Sequence, residues 1–180
     1  MSEVHGKTGE LREKADELFR KGKYEEALNI YSKIEMDDVT ANNIGVCLVK
    51  LGKYDEAEKY YKIAMQKNPK NPNVYFNLGK LYYRKKKYRK SLKYFKKCVK
   101  IEPENKSALN NIGVIYVIFG KYGKAMEYYR KALSVKKDYE WTWYNVATLA
   151  LKFGMVDEAK KLLRNLSLPE AAELRVNLEL

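Results

Sequence analysis

The chain has 180 residues, with 36 Lys and Arg against 23 Asp and Glu and a formal net charge of +13. At 46% hydrophobic and 33% charged it has the make-up of an ordinary folded soluble protein, which excludes a disordered or bilayer-embedded chain. Two cysteines and one histidine, His5, leave no ligand cluster for a metal, no disulfide framework and no general base in a motif, so no catalytic residue, metal or cofactor is expected.

In chain order, residues 1–7 carry no apolar run and read as a tail that is neither a leader peptide nor a lipid anchor. A first pair of helices follows on Leu11, Ala15 and Leu18, then Ala27, Tyr31 and Ile34, with Gly22-Lys-Tyr as the turn between them. The linker to the next pair shrinks to Ile34-Glu-Met-Asp-Asp38, with Asp37 or Asp38 as helix cap, and implies a short second helix. The second pair holds Ala41, Ile44, Gly45 and Leu48, a Gly52-Lys-Tyr turn, then Ala57, Tyr61 and Ala64. Asn71-Pro72 opens the third: an N-cap, then proline at the first helical position. That pair carries Tyr75, Leu78, Gly79 and Tyr82, then Ser91, Phe95 and Cys98, and its turn is Lys86-Lys-Tyr in place of Gly-Lys-Tyr. The fourth has Leu109, Ile112, Gly113 and Tyr116, a Gly120-Lys-Tyr turn, then Ala125, Tyr129 and Ala132. A fifth, weaker pair has Trp143, Val146, Ala147 and Ala150, a Gly154-Met-Val turn, then Ala159, Leu163 and Leu166. Pro169 begins a closing helix. The longest apolar run, Val114 to Phe119, is too short to span a bilayer, so a cytoplasmic protein without membrane contact is expected.

Gly45, Gly79, Gly113 and Ala147 recur at a step of 34 residues, and Ala57, Ser91, Ala125 and Ala159 keep the same step. With aromatic residues beside these small ones and closing prolines at Pro69 and Pro103, the chain resembles the tetratricopeptide-repeat family over nearly its whole length. The resemblance implies an all-α fold, a right-handed α-α superhelix of about five helix-turn-helix repeats. The expected boundaries are a tail over 1–7, one repeat domain over 8–173 with repeats near 8–37, 38–71, 72–105, 106–139 and 140–168, and a capping helix over 169–180. Cys47 and Cys98 then read as small buried hydrophobes.

In this family the first helix of each pair lines a concave surface. Asn43, Asn77, Asn111 and Asn145 stand two residues before the reference Gly or Ala in four successive copies. An Asn side chain can bond a peptide N–H and C=O together, and the column resembles the asparagine ladder of peptide-binding members of the family. Asn42 and Asn110 add polar groups to the same surface. Val46, Val49, Val114, Val117, Ile118 and Leu151 are its expected floor, Phe76, Tyr83, Trp141 and Tyr144 its walls, and Lys50, Lys80, Arg84 and Lys152 its positive rims. The bland alternative, that these Asn residues are consensus and bond within the repeats, stays open. The carboxylate clamp of chaperone-tail receptors in the family wants Lys, Asn, Asn, Lys and Arg where this chain has Arg12, Asp16, Asn43, Asn73 and Asn77. Only Asn43 matches, so that clamp is not expected.

Charge is uneven: residues 59–100 hold 15 basic and no acidic side chains, while residues 1–58 have a net charge of −4. Lys85, Lys86, Lys87, Arg89, Lys90, Lys93, Lys96 and Lys97 fall on the third turn and second helix, the convex side in this family. Such a patch attracts polyanions but comes with no base-reading element. The expected function is a non-catalytic scaffold or adaptor that binds a protein or peptide segment in the concave groove, acidic segments included. Polyanion binding on the basic patch, with nucleic acid not favoured, and self-association are the alternatives.

Overall fold

A computed structural model describes residues 2–178, with side chains from Thr8 onward. The described residues form eleven α-helices and no strand, and none of the helices is long and apolar enough to cross a membrane. The chain divides into two compact units, residues 1–101 and 102–180. The first holds α1 (Ser2–Arg20), α2 (Tyr24–Tyr31), α3 (Asp38–Lys50), α4 (Tyr54–Lys67), α5 (Pro72–Arg84) and α6 (Tyr88–Ile101). The second holds α7 (Lys106–Ile118), α8 (Tyr122–Val135), α9 (Glu140–Lys152), α10 (Val156–Arg164) and α11 (Pro169–Asn177). In each unit successive helices pack as antiparallel hairpins, and α3 also meets α5 as α7 meets α9.

Helix α1 begins at Ser2 and runs through the segment 1–7 that the sequence marks as a tail. No proline interrupts it, and a glycine such as Gly6 or Gly9 costs a helix only about 1 kcal/mol. The side chain of His5 lies outside the described residues, as do the last two residues of the expected capping helix. Helix α2 has 8 residues where α4, α6 and α8 each have 14. The short linker brings Asp37 to the start of α3, where its carboxylate accepts from the Thr40 N–H at 2.6 Å and from Arg12 Nη2 at 2.6 Å. Burial pushes the Asp37 pKa up, but these two donors outweigh it and hold the carboxyl below its usual range.

The helix hairpins close through residues in the left-handed region: Gly22, Gly52, Gly120 and Gly154 have φ between 70° and 77°. Lys86 occupies the same place in the third pair at φ 54°, the one positive-φ residue among those described that is not glycine. Its turn keeps the bonds of the others. Lys86 N donates to Tyr83 O at 2.9 Å and Lys87 N to Tyr82 O at 2.8 Å, as Gly52 N does to Val49 O and Lys53 N to Leu48 O. The third hairpin therefore forms with the left-handed penalty that a Cβ carries.

The core is a repeated contact between a small residue on the first helix of a pair and a large one on the second. A Cβ added to Gly45 would fall 2.6 Å from the Tyr61 ring, and one added to Gly79 would fall 2.6 Å from the Phe95 ring. Tyr129 closes on Gly113 in the same way. In the last pair Ala147 replaces the glycine, and Leu163, which is not a ring, packs in the same buried cluster. Ser91, which stands where the other pairs have alanine, is fully buried and donates its hydroxyl to Gly79 O at 2.7 Å. Charge is also used internally. The Glu58 carboxylate accepts from the Tyr82 hydroxyl at 2.7 Å and meets Lys62 at 2.8 Å and Lys85 at 3.2 Å, clasping α4 to α5. Burial works against that charge, yet the three donors bring the carboxyl down to about 2. In the second unit Arg175 of α11 donates to Leu163 O and Leu166 O at 2.7 Å each, satisfying carbonyls at the end of α10.

Two outcomes follow. Gly79→Ala should cost about 1–3 kcal/mol in urea unfolding, the overpacking range, and the cost should fall short of additive when Phe95→Leu is combined with it, because an Ala–Leu pairing is accommodated at Ala147 and Leu163. Fully additive effects would break this account of the step. Lys86→Gly should raise stability by about 0.5–1 kcal/mol and the melting midpoint by a few degrees, whereas Gly52→Lys should lower both.

Candidate functional site

Helices α1, α3 and α5 present the first-helix face of the first unit, and register sets what lies on it. The residues one place after Ala15, Gly45 and Gly79 are Asp16, Val46 and Lys80; those four places after are Phe19, Val49 and Tyr83; those five places after are Arg20, Lys50 and Arg84. A helical period makes these three rows share a side. Between α1 and α3 they line a cavity of about 470 Å³ walled by Asp16, Phe19, Arg20, Tyr31, Asn43 and Val46. A smaller recess of about 60 Å³ between α3 and α5 is bounded by Val46, Val49, Lys50, Tyr61, Asn77, Lys80, Leu81 and Arg84.

The floor of the larger cavity is polar. The Tyr31 hydroxyl donates to the Asp16 carboxylate through a short hydrogen bond, and Asn43 Nδ2 lies 3.5 Å from both Asp16 Oδ1 and the Tyr31 oxygen. Burial, then the Asp16 bond, pushes the Tyr31 phenol well above its usual pKa. The Cys47 thiol behind it is raised to about 12, first by burial and then by the Asp16 charge, which makes it unreactive at neutral pH.

The asparagine column has a different geometry from a row of free amides. Asn77 Nδ2 donates to Asn42 Oδ1 at 2.9 Å, and Asn145 Nδ2 donates to Asn110 Oδ1 at 3.0 Å. Asn110 Oδ1 also accepts from Thr142 Oγ1 at 3.1 Å. Asn42 and Asn110 are 9% and 6% exposed, so they lie beneath the surface and act as struts between consecutive first helices. Asn43, Asn77, Asn111 and Asn145 are half-buried. No hydrogen bond to Asn77 Oδ1 or Asn145 Oδ1 occurs among the described residues. The strut bonds thus consume one amide hydrogen of each and leave the carbonyl oxygen facing no protein donor.

The cations on this face are not neutralised. Lys50 Nζ sits 5.9 Å over the Tyr24 ring and Lys80 Nζ 5.6 Å over the Phe76 ring, and Arg20 Nε donates to the Asp16 carbonyl. Among the described residues, none of Arg20, Lys50, Lys80 and Arg84 is within ion-pair distance of a carboxylate. Partial desolvation lowers the Lys80 pKa, and the neighbouring Arg84 and Lys50 charges lower it further. In the second unit, Trp141 and Tyr144 meet edge to face at 6.2 Å on α9, with Trp141 40% exposed. There Lys152 Nζ stacks 5.5 Å over Tyr122.

Of the basic set on α6 and the turn before it, Lys86, Lys87, Arg89, Lys90, Lys93, Lys96 and Lys97 are exposed. Lys85 is drawn into the α4–α5 clasp, 2.7 Å from Asp55 and 3.2 Å from Glu58. Lys90 and Lys97 lie over the rings of Tyr82 and Tyr75 at 5.4 and 5.5 Å. Sequence reasoning missed the Asp16–Tyr31–Asn43 cluster and the place of Arg20 in the cationic row. The signal for Arg20 was the common offset from Ala15, Gly45 and Gly79; nothing in the sequence pointed Tyr31 at Asp16.

Two family models, both described as tetratricopeptide repeat, match residues 37–104 and 107–139. A rhomboid protease GluP of Bacillus subtilis (strain 168) is 33% identical over 79 residues, which is 42% of this chain and 16% of that protein. Among solved structures, PilF of Pseudomonas aeruginosa superposes with a TM-score of 0.82 at 17% identity, covering 97% of this chain and 84% of that one. YrrB, described as a TPR protein with an unusual peptide-binding site, matches at a TM-score of 0.63 and 23% identity over 71% of this chain and 68% of its own. At these identities the structural likeness establishes the fold, an all-α solenoid of paired helices.

The strut geometry is open to measurement. Asn42→Ala and Asn77→Ala should each destabilise the chain by about 1 kcal/mol, and a double-mutant cycle in urea should return a coupling of about 0.5–1.5 kcal/mol. Zero coupling would mean that the bond contributes nothing.

Proposed function

The chain belongs to the tetratricopeptide-repeat family, and on that premise we propose that it is a non-catalytic protein-interaction scaffold that holds an extended partner segment on the first-helix face of α1, α3 and α5. One observation carries this reading: beside the polar α1–α3 cavity, that face combines the apolar Val46, Val49 and Leu81 of the α3–α5 recess, asparagine acceptors and cations that the chain's own groups leave unmatched. Asn43 and Asn77 supply acceptors for the segment's backbone N–H groups, with Asn42 fixing the rotamer of Asn77 from below. Val46 and Val49 take its apolar side chains, and Lys80 and Arg84 meet its polar ones. In the second unit Asn111, Asn145, Trp141 and Tyr144, with Asn110 as the buried strut, form the corresponding candidate surface. The unusual peptide-binding site ascribed to YrrB supports peptide recognition on such a scaffold.

Each net hydrogen bond contributes about 0.5–1.5 kcal/mol, so a few asparagine contacts need apolar and charged anchors beside them and give a transient, roughly micromolar complex. The exposed basic residues of α6, which has no acidic residue, favour a second reading: a polyanion or acidic protein docked there.

A photo-crosslinking amino acid placed at Val49 or at Lys93, in cells that make the protein, distinguishes the two. Protein crosslinks from position 49 that are lost when Val46→Arg blocks the face are expected. Crosslinks from position 93 alone, or to nucleic acid, would transfer the function to α6.

A further inference from the structure

Resting on that reading of the α1–α3–α5 face, we infer that the segment it holds is acidic, with Glu or Asp side chains two or three residues apart seated on Lys50 of α3 and on Lys80 and Arg84 of α5. The α3–α5 recess is bounded by all three cations and by Val46, Val49 and Leu81. Three like charges bound one recess and repel each other; desolvation first, and then the Arg84 and Lys50 charges, lower the Lys80 pKa. Elsewhere in the first unit the basic groups near carboxylates are matched to them: Arg12 to Asp37, Lys62 to Glu58, and Lys85 to Asp55 and Glu58. No carboxylate among the described residues pairs with these three, which leaves them open to an anion from outside.

Spacing selects the ligand. Lys80 and Arg84 are one turn apart on α5, a rise of about 6 Å, and Lys50 shares the register of Arg84 on a neighbouring helix, typically about 8–10 Å away. An extended chain advances about 3.3 Å per residue, so carboxylates two or three positions apart span these gaps. These positions are not the carboxylate-clamp slots. Asn73 and Asn77 occupy those on α5, and Lys80 and Arg84 lie about one to three turns beyond them toward its C-terminal end. A main-chain terminal carboxylate is therefore not required, and an internal acidic segment of a partner protein fits.

The test uses the full chain and a short fluorescein-labelled peptide alternating Glu with Leu, read by anisotropy at low and raised salt. The Glu peptide should bind, weaken with salt, and lose about tenfold or more in affinity when its Glu residues become Gln or when the protein carries Lys80→Glu with Arg84→Glu. Lys80→Gln with Arg84→Gln should show a smaller loss in the same direction, and a thermal melt of both variants establishes that they fold. Lys87→Glu with Lys93→Glu should leave binding unchanged. Equal binding by the Lys80/Arg84 variants, loss only in the Lys87/Lys93 variant, or no binding by the wild-type chain would overturn the inference. So would self-association of the unliganded chain that the Lys80/Arg84 variants abolish, since the occupant would then be the acidic first hairpin of a second copy. If the peptide fails while crosslinks from position 49 persist, the face is still a binding surface and only its acidic preference is wrong.

Discussion

The close approach of a small residue to a large side chain sixteen positions later governs this structure. Tyr61, Phe95 and Tyr129 lie where a Cβ on Gly45, Gly79 or Gly113 would have to stand, so each ring abuts the backbone of the helix before it. Interior packing is dense and resists compression, so this contact fixes how far apart the two helices of a hairpin sit. The fifth pair reaches a similar arrangement with Ala147 and Leu163, exchanging a methyl group for a ring. Once these separations are set, the first helices of neighbouring hairpins come side by side, and the rows that form the candidate face follow from register.

The distribution of charge gives the same scaffold its chemical character. Some acidic groups in the first unit hold elements together, as Glu58 does for α4 and α5 and Asp37 does at the start of α3. The basic groups outnumber them, and they gather densely on α6 and around the recess beside Lys80. The cations of both places are exposed, and screening makes each one alone worth little. Around Lys80 three of them bound a single recess, so their charges act together there.

The asparagines tie consecutive first helices together. Asn42 and Asn110 are buried acceptors that hold Asn77 and Asn145 in place. The partners so held keep a free carbonyl oxygen at the surface, and a pre-oriented acceptor costs less ordering on binding than a mobile one. The bonds within the repeats that the consensus reading expects are present for Asn77 and Asn145.

Much of the fold was legible in the sequence, because a 34-residue step in small residues reflects a packing constraint that only a few side chains satisfy. Turn glycines, the Asn71-Pro72 start and the shortened α2 are local features with local causes. The site was legible only as rows: register put Asn43, Asn77, Lys80 and Arg84 on the first helices, but register is silent about partners. Only the tertiary structure decided that Asn42 lies beneath Asn77, that Tyr31 meets Asp16, and that Lys85 is spent on Asp55 and Glu58 while Lys80 and Arg84 are not. Those outcomes turn on distances of an ångström or two between helices far apart in the chain, and a sequence pattern carries the period of its helices but not the separation between them.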